Sequence, residues 1–288
     1  MNNPQGTTLQ EDGMKACRRL FQGILAAVFI ALAGAQVFSA DQGLTVKGST
    51  TVLPIVQVTS EEFMDRNPGI AISVQGGGSG VGIASLIDGT TDIASSSRKI
   101  KAEEAAKAQA AGVTPHENVI AMDGIAVVVH PSNPVSRLTR AQVKAIYTGR
   151  ISDWSEIGGR KARIVVVSRD SSSGTFEAFE ELALDKARVR PDALTSASNQ
   201  TIAQIVAQTP GAIGYVGLVY LTKKVKTVEI DGVKCTEATV AGGTYPLSRP
   251  LYLYTNGAPR GNVKKYLDFV MGGQGRKIVR EEGFVPVK

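Results

Sequence analysis

The chain alternates between short apolar runs with a strand period and longer stretches with a helical one. Leu44 to Val46 predicts a strand, after which Val52, Ile55, Val56 and Phe63 share one helical face. Pro54 is tolerated in the first turn of that helix, and Asn67-Pro68-Gly69 ends it. Ile70 to Val74 alternates as a second strand, and Ile83, Leu86 and Ile87 return at helical spacing. Thr91 to Lys99 closes a third short strand, and Glu103 to Ala111 is an Ala-rich polar helix. His116 falls in a polar loop before the strongly apolar strand Asp123 to His130. Ser136 to Tyr147 predicts a capped helix burying Leu138, Val143 and Ile146 and stopped by Gly149, with Trp154 anchoring the next loop. Further on come a strand at Ile164 to Val166, a helix with Phe176, Phe179 and Leu182 to Leu184 inward, and a helix at Thr201 to Ala207. A turn and strand follow at Pro210 to Val216, then β-structure from Val225 to Val240 around Asp231-Gly232, a strand at Pro250 to Tyr254, and two short helices near 263–271 and 275–281. Strands alternating with helices predict α/β units on a mainly parallel sheet, with ligands at the carboxyl ends of the strands.

The polar residues at the strand-to-helix junctions are not random. Ser49-Thr50-Thr51, the run Gly76-Gly77-Gly78-Ser79-Gly80, Ser95-Ser96-Ser97-Arg98, and Arg169 through Ser173-Gly174-Thr175 all fall where a strand gives way to the next segment. At a helix N-terminus the first N–H groups lack intrahelical partners and the dipole favours negative charge, so hydroxyls there add O–H donors to a ready anion cradle. One such junction is an ordinary helix cap. Glycines that let backbone approach a ligand closely, and repetition of the pattern, favour an oxyanion site. Two rival phosphate motifs fail: Gly43 and Gly48 have P-loop spacing, but Ser49 stands where that motif needs lysine, and the glycine-rich run does not fit Gly-x-Gly-x-x-Gly.

The N-terminus adds a compartment. Lys15, Arg18 and Arg19 precede an apolar run from Leu20 to Ala33 and small residues at Ala35, Ser39 and Ala40, the pattern of a secretory signal peptide over residues 1–40. The run is too short for a membrane-spanning helix, so the mature chain is expected not to be membrane-embedded. Cys17 leaves with that segment and Cys235 stands alone, which excludes an intramolecular disulfide and a cysteine metal site. Hydrophobic residues make up 43% of the chain, enough for substantial cores. The net charge of +6 is mild and scattered, without basic runs interleaved with aromatics, so nucleic acid is not an expected partner. No cofactor is called for, and no His, Cys or carboxylate cluster has metal-ligand spacing.

With these junctions in place, the chain from about Leu44 onward resembles the periplasmic phosphate-binding proteins of ABC transporters, the PstS family. The resemblance rests on five stretches in one order besides the glycine loop at Gly78-Ser79-Gly80: Gly48-Ser49-Thr50-Thr51, Thr91-Asp92-Ile93-Ala94-Ser95, Leu138-Thr139 through Ile146-Tyr147-Thr148-Gly149 with Trp154, Arg169 through Thr175, and Pro210-Gly211-Ala212-Ile213-Gly214-Tyr215. It implies a two-lobed, type II periplasmic binding-protein fold with phosphate in the interlobe cleft. One lobe would comprise 41–123 plus 248–288 and the other 124–247. Carried over by motif, Thr50, Thr51 and Ser79 are donors on one lobe, and Arg169, Ser173, Gly174 and Thr175 form the cradle on the other. Ser97 aligns where well-known members have an aspartate that accepts the phosphate's own proton, with Arg98 next to it as a second positive contributor. Ser171 aligns where those members have a carboxylate partner for the arginine, and the neighbouring Asp170 is the candidate replacement.

The function implied is capture of inorganic phosphate in the periplasm and delivery to an ABC permease, by a monomer that catalyses nothing. Serine at the Ser97 position removes a carboxylate that would repel a protonless anion, which keeps another tetrahedral oxyanion, sulfate or molybdate, as the alternative. A secreted hydrolase with Ser173 as nucleophile is the rival from another class. It lacks a Gly-x-Ser-x-Gly elbow, and neither His116 nor His130 lies in a base motif.

Overall fold

The computed structural model describes residues 43–287; the signal-peptide reading of 1–40 and Cys17 lie outside them. A ten-stranded sheet runs through the described residues in the order β2-β1-β3-β11-β4-β8-β6-β7. Its strands are β1 (Leu44–Gly48), β2 (Ile72–Gly76), β3 (Ile93–Ser96), β4 (Pro115–Val129), β6 (Val165–Arg169), β7 (Leu194–Ser196), β8 (Ala212–Gly217) and β11 (Ser248–Asn256), with β9 (Lys226–Thr227) and β12 (Val285–Pro286) pairing on β4. β5 (Arg137–Leu138) and β10 (Glu229–Ile230) form a separate two-stranded sheet.

The sheet has two halves joined by β4 and β11. Up to Gly124, β4 pairs antiparallel with β11; from Ile125 it pairs antiparallel with β8. The outer strands are parallel, β1 with β2 and β3 in one half and β6 with β7 and β8 in the other. The sheet is therefore mixed, not mainly parallel, because the two long connecting strands sit at its centre and run against their neighbours.

Helices cover the two halves with separate cores. In the first half, Ile55, Val56 and Phe63 of α1 (Leu53–Arg66) pack with Tyr266, Leu267 and Val270 from a C-terminal helix against Val46, Ile93 and Leu253. In the second, Trp154, Tyr147, Phe179 and Tyr215 lead the core, and Phe179 lies flat on Tyr215 with ring centroids 3.9 Å apart. Such stacking adds about 0.5–1.5 kcal/mol beyond burial alone. Trp154 does anchor its loop, its indole N–H donating to Gly211 O at 3.0 Å.

Several local expectations shift. β4 starts at Pro115, eight residues before the predicted Asp123, so His116 lies on a strand opposite Thr255 and not in a loop. His116 and Glu117 near its start are exposed and polar, and hide the strand period. The helix expected from Ser136, α4 (Arg140–Tyr147), begins at Arg140, because Thr139 caps it by accepting from the Gln142 N–H and Leu138 is spent on β5. Between Val225 and Val240 only the short β9 and β10 form, followed by a helix at Glu237–Ala241.

Candidate functional site

Four junctions place their polar residues at the carboxyl ends of strands. After β1, the Thr51 and Val52 N–H groups donate to Ser49 Oγ at 3.1 and 3.4 Å, so Ser49 closes the turn leading into α1 and leaves the Thr50 and Thr51 hydroxyls free of that task. After β2, Gly78 sits at φ 107°, where a side chain would be strained and its Cβ would lie 2.5 Å from Ser172 O. This glycine brings helix α2 (Ser79–Ile87) up to the opposite half, where Gly80 N–H donates to Ser172 O at 3.0 Å. Ser79 Oγ accepts from Ser97 N–H at 3.0 Å and lies 3.4 Å from Ser97 Oγ. In the second half, Ser173 caps α5 (Gly174–Leu184) by accepting from Phe176 N–H at 3.2 Å, which puts Gly174 and Thr175 in its first turn.

Between the halves these groups meet. Thr51 Oγ1 and Thr175 Oγ1 are 2.9 Å apart, and the Arg169 Nη2 donates to Thr50 Oγ1 at 3.3 Å. A Cβ on Gly174 would stand 2.2 Å from Ser79 Oγ and 2.8 Å from Ser97 Oγ. The structure thus gathers Thr50, Thr51, Ser79, Ser97, Arg169, Ser173, Gly174 and Thr175 at the junction between the halves.

Arg169 dominates its electrostatics. Its side chain is 1% exposed, and its Nε and Nη2 donate to Ser196 O and Ala197 O at 3.0 and 2.8 Å. Nη1 has no partner among the described residues. Asp170, the candidate replacement carboxylate, comes only to 3.9 Å and is itself bonded by the Ser172 N–H at 2.9 Å and by the Ser172 hydroxyl. Burial lowers the guanidinium's proton affinity, yet arginine remains charged in any ordinary protein setting. A buried cation with an unused N–H, reaching the Thr50 hydroxyl of the opposite half, is suited to a small oxyanion.

Arg98, expected as a second positive contributor, is matched by carboxylates. It makes a two-pronged bond to Glu104, 2.7 Å on each nitrogen, and its Nε pairs with Glu177. Burial works against this charge, but the two carboxylates outweigh it and hold the guanidinium above its ordinary value. Because Glu177 is on α5, Arg98 ties the two halves together at the cleft rim while bringing no net positive charge.

Three buried residues belong to this constellation without standing out in the sequence. Arg249, on β11, donates through Nη2 to Asp123 Oδ2 at 2.9 Å, Thr175 Oγ1 at 3.0 Å and Thr51 Oγ1 at 3.3 Å. Asp123, fully buried on β4, faces Arg249 in register and also accepts from Leu218 N–H at 3.0 Å. Asn199 opens helix α6 (Asn199–Gln208), and its amide donates to Thr51 Oγ1 at 3.0 Å and Thr50 Oγ1 at 3.4 Å. Only Asn199 carried a signal, a polar residue after Ser198 at a strand-to-helix junction like the others.

Against known proteins, a model of the PBP superfamily domain matches residues 32–274. The phosphate-binding protein PstS of Bacillus subtilis is 38% identical over 250 residues, covering 86% of this chain and 82% of its own length. The chain belongs to the PstS family. The PstS of Pseudomonas aeruginosa is 32% identical, covering 91% of this chain and 89% of the relative. Among solved structures, an ABC-type phosphate transport receptor from Vibrio cholerae aligns with a TM-score of 0.73 at 33% identity, covering 85% of this chain and all of that one. A candidate phosphate ABC transporter substrate-binding protein from Clostridium perfringens, with bound phosphate, aligns at a TM-score of 0.79 and 35% identity over 85% of this chain and all of that one. Among the described residues no helix is long and apolar enough to cross a membrane, and no group of His, Cys, Asp and Glu could hold a metal ion.

Proposed function

We propose that this chain is a periplasmic receptor that captures inorganic phosphate between two lobes and delivers it to an ABC permease. The lobes are 41–123 with 248–288, and 124–247, and the change of strand partner on β4 after Gly124 supports that division. The observation that carries the reading is the buried Arg169 with its unpartnered Nη1, its Nη2 reaching the Thr50 hydroxyl of the opposite half. Its charge binds the anion, while Thr50, Ser79, Ser97, Ser173, Thr175 and the backbone N–H groups at Gly174 and Thr175 supply neutral donors; the Thr51 hydroxyl is spent on Thr175. Each charge-assisted hydrogen bond is worth roughly 1.5–3 kcal/mol, so a handful supports micromolar binding after closure costs. Arg98 acts by holding the rim through Glu177 and not by touching the ligand. A lobe closure that depends on the anion gives the permease a state to recognise. The protein acts as a monomer and turns nothing over: Ser173 Oγ serves the helix start, and neither His116 nor His130 is hydrogen-bonded to it.

Titration calorimetry on the mature chain, stripped of phosphate, tests this with phosphate, arsenate, sulfate and molybdate. Saturable 1:1 binding of phosphate is expected, and absence of it at neutral pH would sink the proposal. The second reading, a receptor for another tetrahedral oxyanion, is favoured by one observation: the Ser79 and Ser97 hydroxyls meet where a carboxylate would discriminate. Displacement of phosphate by an equal concentration of sulfate would establish it.

A further inference from the structure

The hydroxyls of Thr50, Thr51 and Thr175 have unusually crowded acceptor sides. A threonine hydroxyl has one proton to give and two lone pairs to fill. Thr50 Oγ1 receives Arg169 Nη2 at 3.3 Å and Asn199 Nδ2 at 3.4 Å, which fills both. Thr51 Oγ1 receives Asn199 Nδ2 at 3.0 Å and Arg249 Nη2 at 3.3 Å, which fills both again. The Thr51 proton therefore goes to Thr175 Oγ1, 2.9 Å away. Thr175 Oγ1 also receives Arg249 Nη2 at 3.0 Å, so its own proton is left pointing away from all of these groups. The inner Nη2 hydrogen of Arg249 is shared between the two threonines, its other hydrogen being held by Asp123 at 2.9 Å.

Asn199 is the residue common to Thr50 and Thr51. It is fully buried, and the Gly217 N–H donates to its Oδ1 at 3.2 Å, which identifies the atom facing the threonines as the amide NH2. Its two hydrogens match the two hydroxyls. It also sits on the half opposite Thr50 and Thr51, so the arrangement is complete only when the halves are together.

We propose that Asn199 is a positioning residue that, with Arg169 and Arg249, fixes the polarity of the threonine hydroxyls so that Thr50 and Thr175 can only donate. The proposal rests on the oxyanion reading above and deepens it. A site so polarised accepts ligand oxygens that carry no proton on that side and turns away groups that must donate there. Discrimination by hydroxyl orientation does not require a carboxylate at the Ser97 position.

Calorimetry with inorganic phosphate on the mature chain tests this through Asn199→Leu, which removes both donors without adding charge. It is combined in a cycle with Thr50→Val/Thr51→Val, and thermal melting checks each fold. Asn199→Leu is expected to weaken binding by about tenfold or more, and to have little further effect once the two hydroxyls are gone. Binding within about threefold of the wild type, or a loss that simply adds to that of the threonine changes, would overturn the proposal. Should Asn199→Leu not fold, Asn199→Ser, too short to reach either hydroxyl, takes its place in the same cycle. Wild-type protein that binds no phosphate overturns this proposal together with the function. Wild-type binding with an indifferent Asn199 overturns this proposal alone.

Discussion

At Gly174 a single methyl group decides whether the halves can meet. The backbone there is helical, so alanine is conformationally welcome, and the second half would fold unchanged. In the closed arrangement, however, the new Cβ would stand 2.2 Å from Ser79 Oγ and 2.8 Å from Ser97 Oγ, both belonging to the opposite half. Gly174→Ala is expected to leave the melting temperature within a few degrees while weakening phosphate binding by about tenfold or more, equivalent to ~1.4 kcal/mol. Calorimetry beside small-angle scattering with saturating phosphate checks it; unchanged affinity would mean the halves need not come this close. Locally, the cradle around Gly174 was legible because capping and anion binding use the same residue types at one junction. Arg98 and Arg169 show where that legibility stops. Both stand at the carboxyl end of a strand beside serines, but Arg98 has Glu104 six residues on and Glu177 from the opposite half, whereas Arg169 has carbonyls, the Thr50 hydroxyl and a distant Asp170. Charge compensation arriving from remote sequence cannot be read from the stretch around the arginine.

At the scale of elements, α3 (Ala102–Ala110) read as an Ala-rich polar helix, and its first turn has a defined task. Glu104 accepts from the Lys101 N–H at 2.9 Å, closing the helix start, and holds Arg98 with both oxygens. Burial acts to raise its pKa, but the Arg98 and Lys101 bonds prevail and hold it below the ordinary 4.5. The sign follows: the stabilisation is present above the unfolded-state value and disappears as pH falls through the lower folded-state value. Glu104→Gln is expected to cost ~1.5–3 kcal/mol at pH 7, the worth of hydrogen bonds to charged groups. The gap between variant and wild type should close on acidification below pH 4.5. Urea unfolding between pH 7 and 3 measures this, and a pH-independent gap would count against it. The order of strands and helices was legible because amphipathic periods survive in half-buried elements. The first residues of β4, the two-residue strand β5, and β7 were not, since too few of their side chains are buried to print a period.

Across the whole molecule, the two halves turn on β4 and β11, and the register places Asp123 beside Arg249 next to the point where β4 changes partners. Their sequence separation of 126 residues explains why neither stood out: each looks like a lone charge in an otherwise apolar strand. The pair is 0% and 3% exposed, and Arg249 extends from it to Thr51 and Thr175, one from each half. It joins the crossover to the cleft. Burial pushes the Asp123 carboxyl up, with Arg249 opposing that shift. Removing the arginine therefore leaves a buried carboxylate without its counter-charge. Arg249→Met is expected to destabilise the fold by ~3–5 kcal/mol at neutral pH, the usual cost of breaking a buried pair from one side. A raised folded-state pKa makes stability fall as pH rises, so this variant should regain stability towards acid pH as Asp123 takes up a proton. Changing both residues, Asp123→Leu with Arg249→Met, should recover most of the loss, because an apolar replacement of a buried pair is often neutral. The recovered protein should nonetheless bind phosphate more weakly, since the Thr51 and Thr175 hydroxyls have lost their common donor. Unfolding midpoints and calorimetry on the same samples separate the two roles. Full recovery of affinity together with stability would show that Arg249 serves the crossover alone.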